Sequence, residues 1–404
     1  MMEARRILLI ATSGIAAYKV PDLVRQLQRA GHEVRCALTP TASRFVSRLA
    51  LQTLTGATVR QDLFDPSEEG EIDHIRLADW AELVIVAPAT ANTLAGMAHG
   101  LAENLVGAVL LATEAPVLAA PAMNVNMWNH PATQANLETL RGRGVRFVGP
   151  GVGELACGWE GQGRMSDPSE IVAEAGLLLG SQSLAGETVL VTAGGTAEPI
   201  DAVRTITNRS SGKMGFALAE EAARRGARVC LVAGLTALET PAGVKRLDVE
   251  SALEMRNAVM QELPDATIVI KAAAVADFRP EFPEEAKIKK ESLDSQEGIT
   301  LKLVTNPDIL AEVCAQKGDR TVVGFAAESG DVVPAALRKL ERKGCDLLVA
   351  NDISRDDAGF NVDTNAVYLL SRGGEVEEVP LLSKHEVARQ ILDRVEKMRS
   401  ERSR

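Results

Sequence analysis

Several stretches of this 404-residue chain combine small, hydroxyl, amide and charged residues at spacings that suit ligand chemistry. ATSGIAAYK (11–19) and LTPTASRF (38–45) are turns whose backbone N–H groups and hydroxyls, from Ser13, Thr39, Thr41 and Ser43, could hold a phosphate at a helix start. A tight turn that merely needs Gly14 would look the same. APATANTLAGM (87–97) offers Thr90, Asn92 and Thr93, which are also ordinary helix caps. PAMNVNMWNHP (121–131) contains Asn124 among other amides. Two consecutive amide-rich turns suit a neutral, hydrogen-bonding ligand better than a charged one. His74, in EIDHIRLADWAE, and Cys157, in the glycine-rich GELACGWEGQGRM (153–165), are the titratable candidates of this half. A lone His is more often structural than catalytic, and a buried Cys is usually inert.

The second half concentrates charge. In TAGGTAEPIDAVRTITNRSSGKMGFALAEEAARRG (192–226), Gly194, Gly195 and Thr196 are followed by Asn208, Ser210, Ser211, Gly212 and Lys213 ahead of a helix that Gly226 ends. Backbone donors, hydroxyls and one ammonium at a helix start make an anion site; Ser210 and Ser211 could also serve only as caps. It is not a Walker A loop, because position 207 is Thr and Met214 follows Lys213. KAAAVADFRP (271–280) places Asp277 and Arg279 past an apolar run, where Asp277 could hold Mg²⁺ beside phosphates. KIKK (287–290) is a cationic cluster within the charged segment 278–298, readable as a lid onto phosphates, a solvated charge run or a disordered insert. Lys339 and Lys343 lie four apart and share a helix face. GVGELA (151–156) fits a dinucleotide fingerprint, but CGWEGQGRMSDP follows it and cannot be the helix that such a loop must open.

Strands must deliver these turns. Apolar runs at 5–11, 33–39, 82–88, 116–122 and 145–150 alternate with helical patterns at 19–31, from Ala91 to Leu111 and at 168–180. After the small polar linker SQSLAGE (181–187) the pattern restarts, with strands expected at 188–195, 227–234, 267–275, 321–328, 345–352 and 365–371 and a closing helix at 384–398. The fold class is therefore α/β with two doubly wound domains, 1–184 and 185–404. Ligands in such sheets bind where strands end and helices begin, which is where the chemistry-bearing turns fall.

Composition narrows the class. A net charge of −11 and aromatics at 3% argue against a nucleic-acid surface. No apolar run reaches the length of a membrane span, and the opening MMEARRILLIATSG reads as a first strand, not a signal peptide. Five cysteines, odd in number, widely spaced and without C-x-x-C, point to a reducing cytoplasmic setting and against structural zinc.

SGIAAYK, APATANT, PAMNVNMW, LACGWEGQGRM, TNRSSGKMG, AAAVADFRP with KIKK, and TNPDIL with VGFAAES occur in one order over residues 7 to 370. With this ordered set the whole chain resembles the bacterial bifunctional family that joins phosphopantothenoylcysteine decarboxylase to phosphopantothenate–cysteine ligase in coenzyme A biosynthesis. The resemblance implies a flavodoxin-like, FMN-dependent decarboxylase over 1–184, with FMN at Ser13, Gly14, Thr39 and Thr90. FMN would oxidise the substrate thiol to a thioaldehyde, easing loss of the carboxylate beta to that carbon, and would then return the hydride. Cys157 matches the family's proton donor, His74 its active-site histidine, and Asn124 the residue that binds the substrate carboxylate. Over 185–404 the resemblance implies CTP-dependent ligation: the 4′-phosphopantothenate carboxylate attacks the CTP α-phosphate, and cysteine displaces CMP. By position the nucleotide contacts are Ala273, Asp277, Lys287, Asn306, Pro307, Asp308, Ile309, Phe325, Lys339 and Lys343, and Asn208 handles the acyl-cytidylate. Arg209 stands where the family usually has His, Gly96 where Lys is common, and Ala193 where Ser is common. A homo-oligomer, a dodecamer of decarboxylase trimers and ligase dimers, is implied too. Two competing readings are a nicotinamide oxidoreductase and a non-catalytic flavin-binding relative. The second predicts a missing His, Asn or Cys, yet His74, Asn124 and Cys157 are present.

Overall fold

The computed structural model describes residues 4–63, 73–154, 158–289, 299–328, 330–352 and 362–402, and the chain divides into two compact units, Met1–Leu179 and Gly180–Arg404.

The first unit runs β1 (Arg6–Ala11), α1 (Val20–Arg29), β2 (Glu33–Leu38), α2 (Arg48–Thr55), α3 (Asp73–Trp80), β3 (Leu83–Ala89), α4 (Ala91–His99), α5 (Leu105–Ala112), β4 (Val117–Pro121), α6 (Val125–Asn129), α7 (Pro131–Gly142), β5 (Arg146–Phe147), β6 (Gly151–Glu154), β7 (Glu160–Arg164) and α8 (Pro168–Leu178). β1 to β5 are parallel in the order β2-β1-β3-β4-β5. This is flavodoxin-like winding, with its switch point between β1 and β3. β3 is buried along its whole length, which is why its sequence is continuously apolar instead of alternating. Leu9 and Ile85 pack on one face with Leu23 of α1 and Ile171 of α8. Leu8, Val84 and Val86 pack on the other with Leu94, Val109 and Leu137 of α4, α5 and α7. Each such side chain contributes about 1.5–3 kcal/mol by leaving water.

One expectation fails here. The single helix expected from Ala91 to Leu111 is two. Gly100, at φ +67°, ends α4, and Asn104 opens α5 by accepting the Gly107 N–H at 3.0 Å. A left-handed cap suits glycine, and the amide satisfies a helix-start donor, so the break is encoded locally.

The second unit runs β8 (Thr188–Ala193), β9 (Ala197–Pro199), β10 (Thr205–Thr207), α9 (Lys213–Arg224), β11 (Arg228–Ala233), β12 (Val244–Asp248), α10 (Ala252–Glu262), β13 (Ile268–Lys271), β14 (Phe278–Pro280), β15 (Leu303–Thr305), α11 (Ile309–Ala315), β16 (Thr321–Glu328), α12 (Val332–Lys343), β17 (Leu347–Asp352), β18 (Thr364–Ser371), β19 (Val376–Ser383) and α13 (Lys384–Arg402). Its main sheet has the order β12-β11-β8-β13-β16-β17-β18-β19. The first six are parallel and follow the Rossmann order, with the switch point between β8 and β13. β18 and β19 extend the sheet antiparallel. The strand expected at 365–371 is present, in the opposite direction to β17, and its partner β19 was not expected.

The apolar run at 267–275 leaves the sheet after Lys271. The N–H groups of Ala273, Ala274 and Ala276 instead donate to Thr192 Oγ1 (3.2 Å), Gly194 O (2.9 Å) and Thr196 Oγ1 (2.9 Å). These bonds tie the two switch-point turns together. The start of the charged segment 278–298 is also built in: Phe278 to Pro280 form β14, which pairs antiparallel with β15.

Candidate functional site

Each switch point carries a candidate site. In the first unit a cavity of about 1210 Å³ opens at the carboxyl ends of the strands. Ser13, Gly14, Thr39, Thr90 and Asn124 all line it, so five sequence-nominated residues converge. Ser13 Oγ lies 2.9 Å from Thr39 Oγ1 and also bonds Thr41 Oγ1. Thr12 Oγ1 donates to Pro88 O at 2.7 Å and accepts from the Thr90 N–H at 3.3 Å, fixing the β1 turn to the β3 turn. A β-carbon on Gly14 would sit 3.4 Å from Thr90 Cγ2, an ordinary van der Waals contact, so the packing of these two turns does not itself demand glycine here.

Thr90 is the N-cap of α4, accepting from the Thr93 N–H at 3.3 Å. The capping explanation for this residue is therefore correct, and Thr90 lines the cavity as well. Replacing Thr90 with Ala is expected to cost about 1 kcal/mol of stability and, for the FMN that the sequence resemblance implies, to lower retention of added FMN on gel filtration. Full retention with a normal Tm would show the hydroxyl to be idle.

Asn124 caps the short α6, accepting the Asn126 N–H at 2.8 Å. The antiparallel ribbon β6–β7 is anchored beside it, since the Met123 N–H donates to Gly163 O at 3.0 Å. Cys157 falls between β6 and β7 in the sequence and lies outside the described residues. His74 is half-buried on α3 and does not line the cavity. Sequence reading passed over Lys19, which lines the cavity and pairs with Asp167 at 2.6 Å, holding that carboxyl below its usual range.

The other four cysteines are described, and all are free thiols. Burial pushes Cys36 and Cys314 up to about 12, and Cys230 and Cys345 up to about 11. Such thiols are poor proton donors and poor nucleophiles at neutral pH.

In the second unit the glycine turn and the α9 start meet the β13 turn. Gly212, at φ +79°, is the N-cap of α9, and no side chain caps the first turn. The capping role open to Ser210 and Ser211 is not what they perform; among the described residues Ser210 Oγ accepts the Gly212 N–H, at 3.4 Å. A β-carbon on Gly215 would collide with Ala193 Cβ at 2.5 Å, so glycine lets α9 lie against β8. Asn208 Nδ2 donates to Ala274 O at 3.2 Å.

The remaining nominated residues cluster on the other side. Asn306 reaches back to the β13 turn through Nδ2 to Ala276 O (2.9 Å) and its N–H to Asp277 O (2.8 Å). Asp308 caps α11 through the Ala311 N–H at 3.1 Å and forms an ion pair with Lys343. Lys339, one turn earlier on α12, lies 3.6 Å from Glu328. Phe325 is half-buried on β16, and Asp277 is exposed. Among the described residues no three His, Cys, Asp or Glu side chains are grouped to hold a metal.

Lys287 is exposed, but its segment is docked. Asp201 Oδ2 accepts the Ile288 N–H at 3.1 Å, Arg204 Nη2 donates to Ile288 O at 3.0 Å, and the Glu284 N–H donates to Ile200 O at 3.0 Å. Arg204 forms an ion pair with Asp201 and holds its carboxyl far below the usual range. The pair is thus fully charged at neutral pH and weakens only as pH falls well into the acid range. Lys290 and residues 291–298 lie outside the described residues. The Asp201–Arg204 clamp escaped sequence reading, because an Asp and an Arg three apart are common on any surface. On the ligase and decarboxylase activities that the sequence resemblance implies, Asp201→Asn is expected to lower ligation about tenfold through loss of this positioning, with decarboxylation unchanged; equal ligation rates would rule the clamp out.

Comparison with known proteins then decides the family. A flavoprotein family model matches residues 1–176, and the model of the DNA/pantothenate metabolism flavoprotein C-terminal domain matches residues 184–398. The coenzyme A biosynthesis bifunctional protein CoaBC of Vibrio vulnificus (strain YJ016) is 46% identical over 396 residues, 98% of either chain. That of Escherichia coli (strain K12) is 46% identical over 405 residues, 100% of this chain and 99% of its own. The chain belongs to this family. A crystal structure of the C-terminal domain of a CoaBC protein is 41% identical over 55% of this chain and 100% of its own, with a TM-score of 0.47. As a CoaBC family member the chain is an α/β flavoprotein whose flavin-family segment coincides with the unit that holds the large cavity. No helix among the described residues is long and apolar enough to cross a membrane.

Proposed function

We propose that residues 185–404 ligate cysteine to 4′-phosphopantothenate with CTP, and that residues 1–184 decarboxylate the product to 4′-phosphopantetheine. What carries the reading is the coincidence of the family's two functional segments with two separate switch-point sites, each built from nominated residues. The relatives' shared name, a bifunctional protein of coenzyme A biosynthesis, supports the same division.

FMN fits the first site. The cavity exceeds the roughly 300–1,000 Å³ of an ordinary ligand cleft, leaving room for a substrate arm beside the cofactor. Ser13, Thr39 and Thr41 present hydroxyls to a phosphate, and Thr90 and Thr93 complete the β3 side. When bound, FMN supplies the two-electron oxidation of the substrate thiol and the returning hydride. The protein supplies the rest. Asn124 holds the substrate carboxylate, and Cys157 gives a proton to the carbon that loses CO₂. His74 reaches this chemistry only if a second copy brings it there, which accords with a homo-oligomer of decarboxylase trimers.

In the ligase half, the substrate carboxylate oxygen bonds to the CTP α-phosphorus and pyrophosphate leaves. The cysteine amine then bonds to the acyl carbon and CMP leaves. Ala273, Asn306 to Ile309 and Phe325 frame the nucleotide; Lys287, Lys339 and Lys343 offset phosphate charge, and Asn208 orients the acyl-cytidylate. Asp277, whose side chain makes no ion pair among the described residues, suits Mg²⁺ held mainly through the phosphates. A cytoplasmic dodecamer built from decarboxylase trimers and ligase dimers completes the reading. The direct test is the cofactor: purified protein should be yellow, absorb near 450 nm and release FMN on denaturation. Colourless protein that fails to take up added FMN would remove the first half of the proposal.

A further inference from the structure

Lys271 is the last residue of β13, level with Thr192 of β8 and Gly324 of β16. It therefore stands at the switch point itself. It shares a sheet face with Val269, whose apolar cluster includes Ile309, Leu310 and Val232. α11 packs closely beside it, since a β-carbon on Gly324 would lie 2.8 Å from Leu310 Cδ2. The residue is only 8% exposed, and among the described residues its amine makes no hydrogen bond or ion pair. Burial alone pushes that amine down to about 7. A buried amine without a counter-charge destabilises the protein that contains it. Here it lies at the crevice where the fold places its ligand, two residues from Ala273 and next to the strand that carries Phe325.

We propose that Lys271 is a cation of the nucleotide site, its ammonium pairing with an anionic phosphate oxygen of bound CTP. This rests on the ligase reading and adds to it a binding residue distinct from Lys287, Lys339 and Lys343. The bound anion restores the charge that burial suppresses in the free protein. Methionine is the matched replacement, being similar in length, unbranched and apolar.

The test uses the full chain, titrated calorimetrically with CTP and Mg²⁺, and with cytidine as a competitor lacking phosphate. Lys271→Met is expected to weaken CTP binding about 10- to 100-fold, the range for one hydrogen bond to a charged group. Competition by cytidine should be unchanged, and Tm should stay equal or rise, because a lone buried amine is gone. Equal CTP affinity in the variant would overturn the proposal. So would a parallel loss of CTP affinity, cytidine competition and Tm, which is the signature of a purely structural lysine. Failure of the unaltered chain to bind CTP would instead refute the ligase reading beneath it.

Discussion

Cys157→Ser should abolish formation of 4′-phosphopantetheine, by about 10²- to 10⁴-fold, while ligation proceeds at the normal rate. That range is what a positioned proton donor contributes. A thiol with an ordinary pKa near 8.5 can give a proton at neutral pH, and a serine hydroxyl cannot. The remaining cysteines offer no substitute, because burial raises Cys36, Cys230, Cys314 and Cys345 to about 11–12. In the sequence Cys157 falls between β6 and β7, and Gly163 and Arg164 of β7 line the cavity. The variant should therefore release CO₂ only to about one equivalent per site and accumulate the decarboxylated, unprotonated ene-thiol. Rapid quench with mass analysis separates these outcomes. Full turnover by the serine variant would end the proton-donor assignment.

Lys287→Gln should slow acyl-cytidylate formation by about 10²-fold or more, the loss typical of one positioned transition-state group. The docking of Ile288 between Asp201 and Arg204 makes this a sharper expectation than a charge run alone would give. A cation on a fixed segment is already oriented when charge develops on the α-phosphate. Glutamine keeps a polar, unbranched side chain one bond shorter and removes the charge, so single-turnover rates of pyrophosphate release read chiefly the electrostatic contribution. Unchanged kinetics would reduce the cluster to a solvated face. Asp201→Asn should give the smaller effect, since it loosens Lys287 without removing it.

Much of this was legible beforehand because local chemistry and topology agree. Continuous apolar runs at β1 and β3 mark strands buried on both faces, and the small-residue turns after them fall at the switch point. Ser13, Thr39, Thr90 and Asn124 come together for that reason. What the sequence concealed depends on partners distant along the chain. NAVYLLS reads as a strand whichever way it runs, and nothing within it encodes its antiparallel pairing with β17. β19 is an edge strand in which only Val379 is buried, so its charged pattern gave no apolar alternation to detect. Lys271 is one polar letter in an apolar run, and its isolation emerges only when the strands on both sides are in place. His74 shows the converse: a residue nominated by resemblance that this chain alone does not bring to its cavity.

The most direct measurement is a coupled assay of the purified chain with 4′-phosphopantothenate, cysteine, Mg²⁺ and CTP, following pyrophosphate and CO₂ together. Release of both, with CO₂ lagging behind pyrophosphate, is the expected result and establishes two active halves in sequence. Flavin-loaded protein that releases neither would contradict it and leave a binding protein in the place of an enzyme.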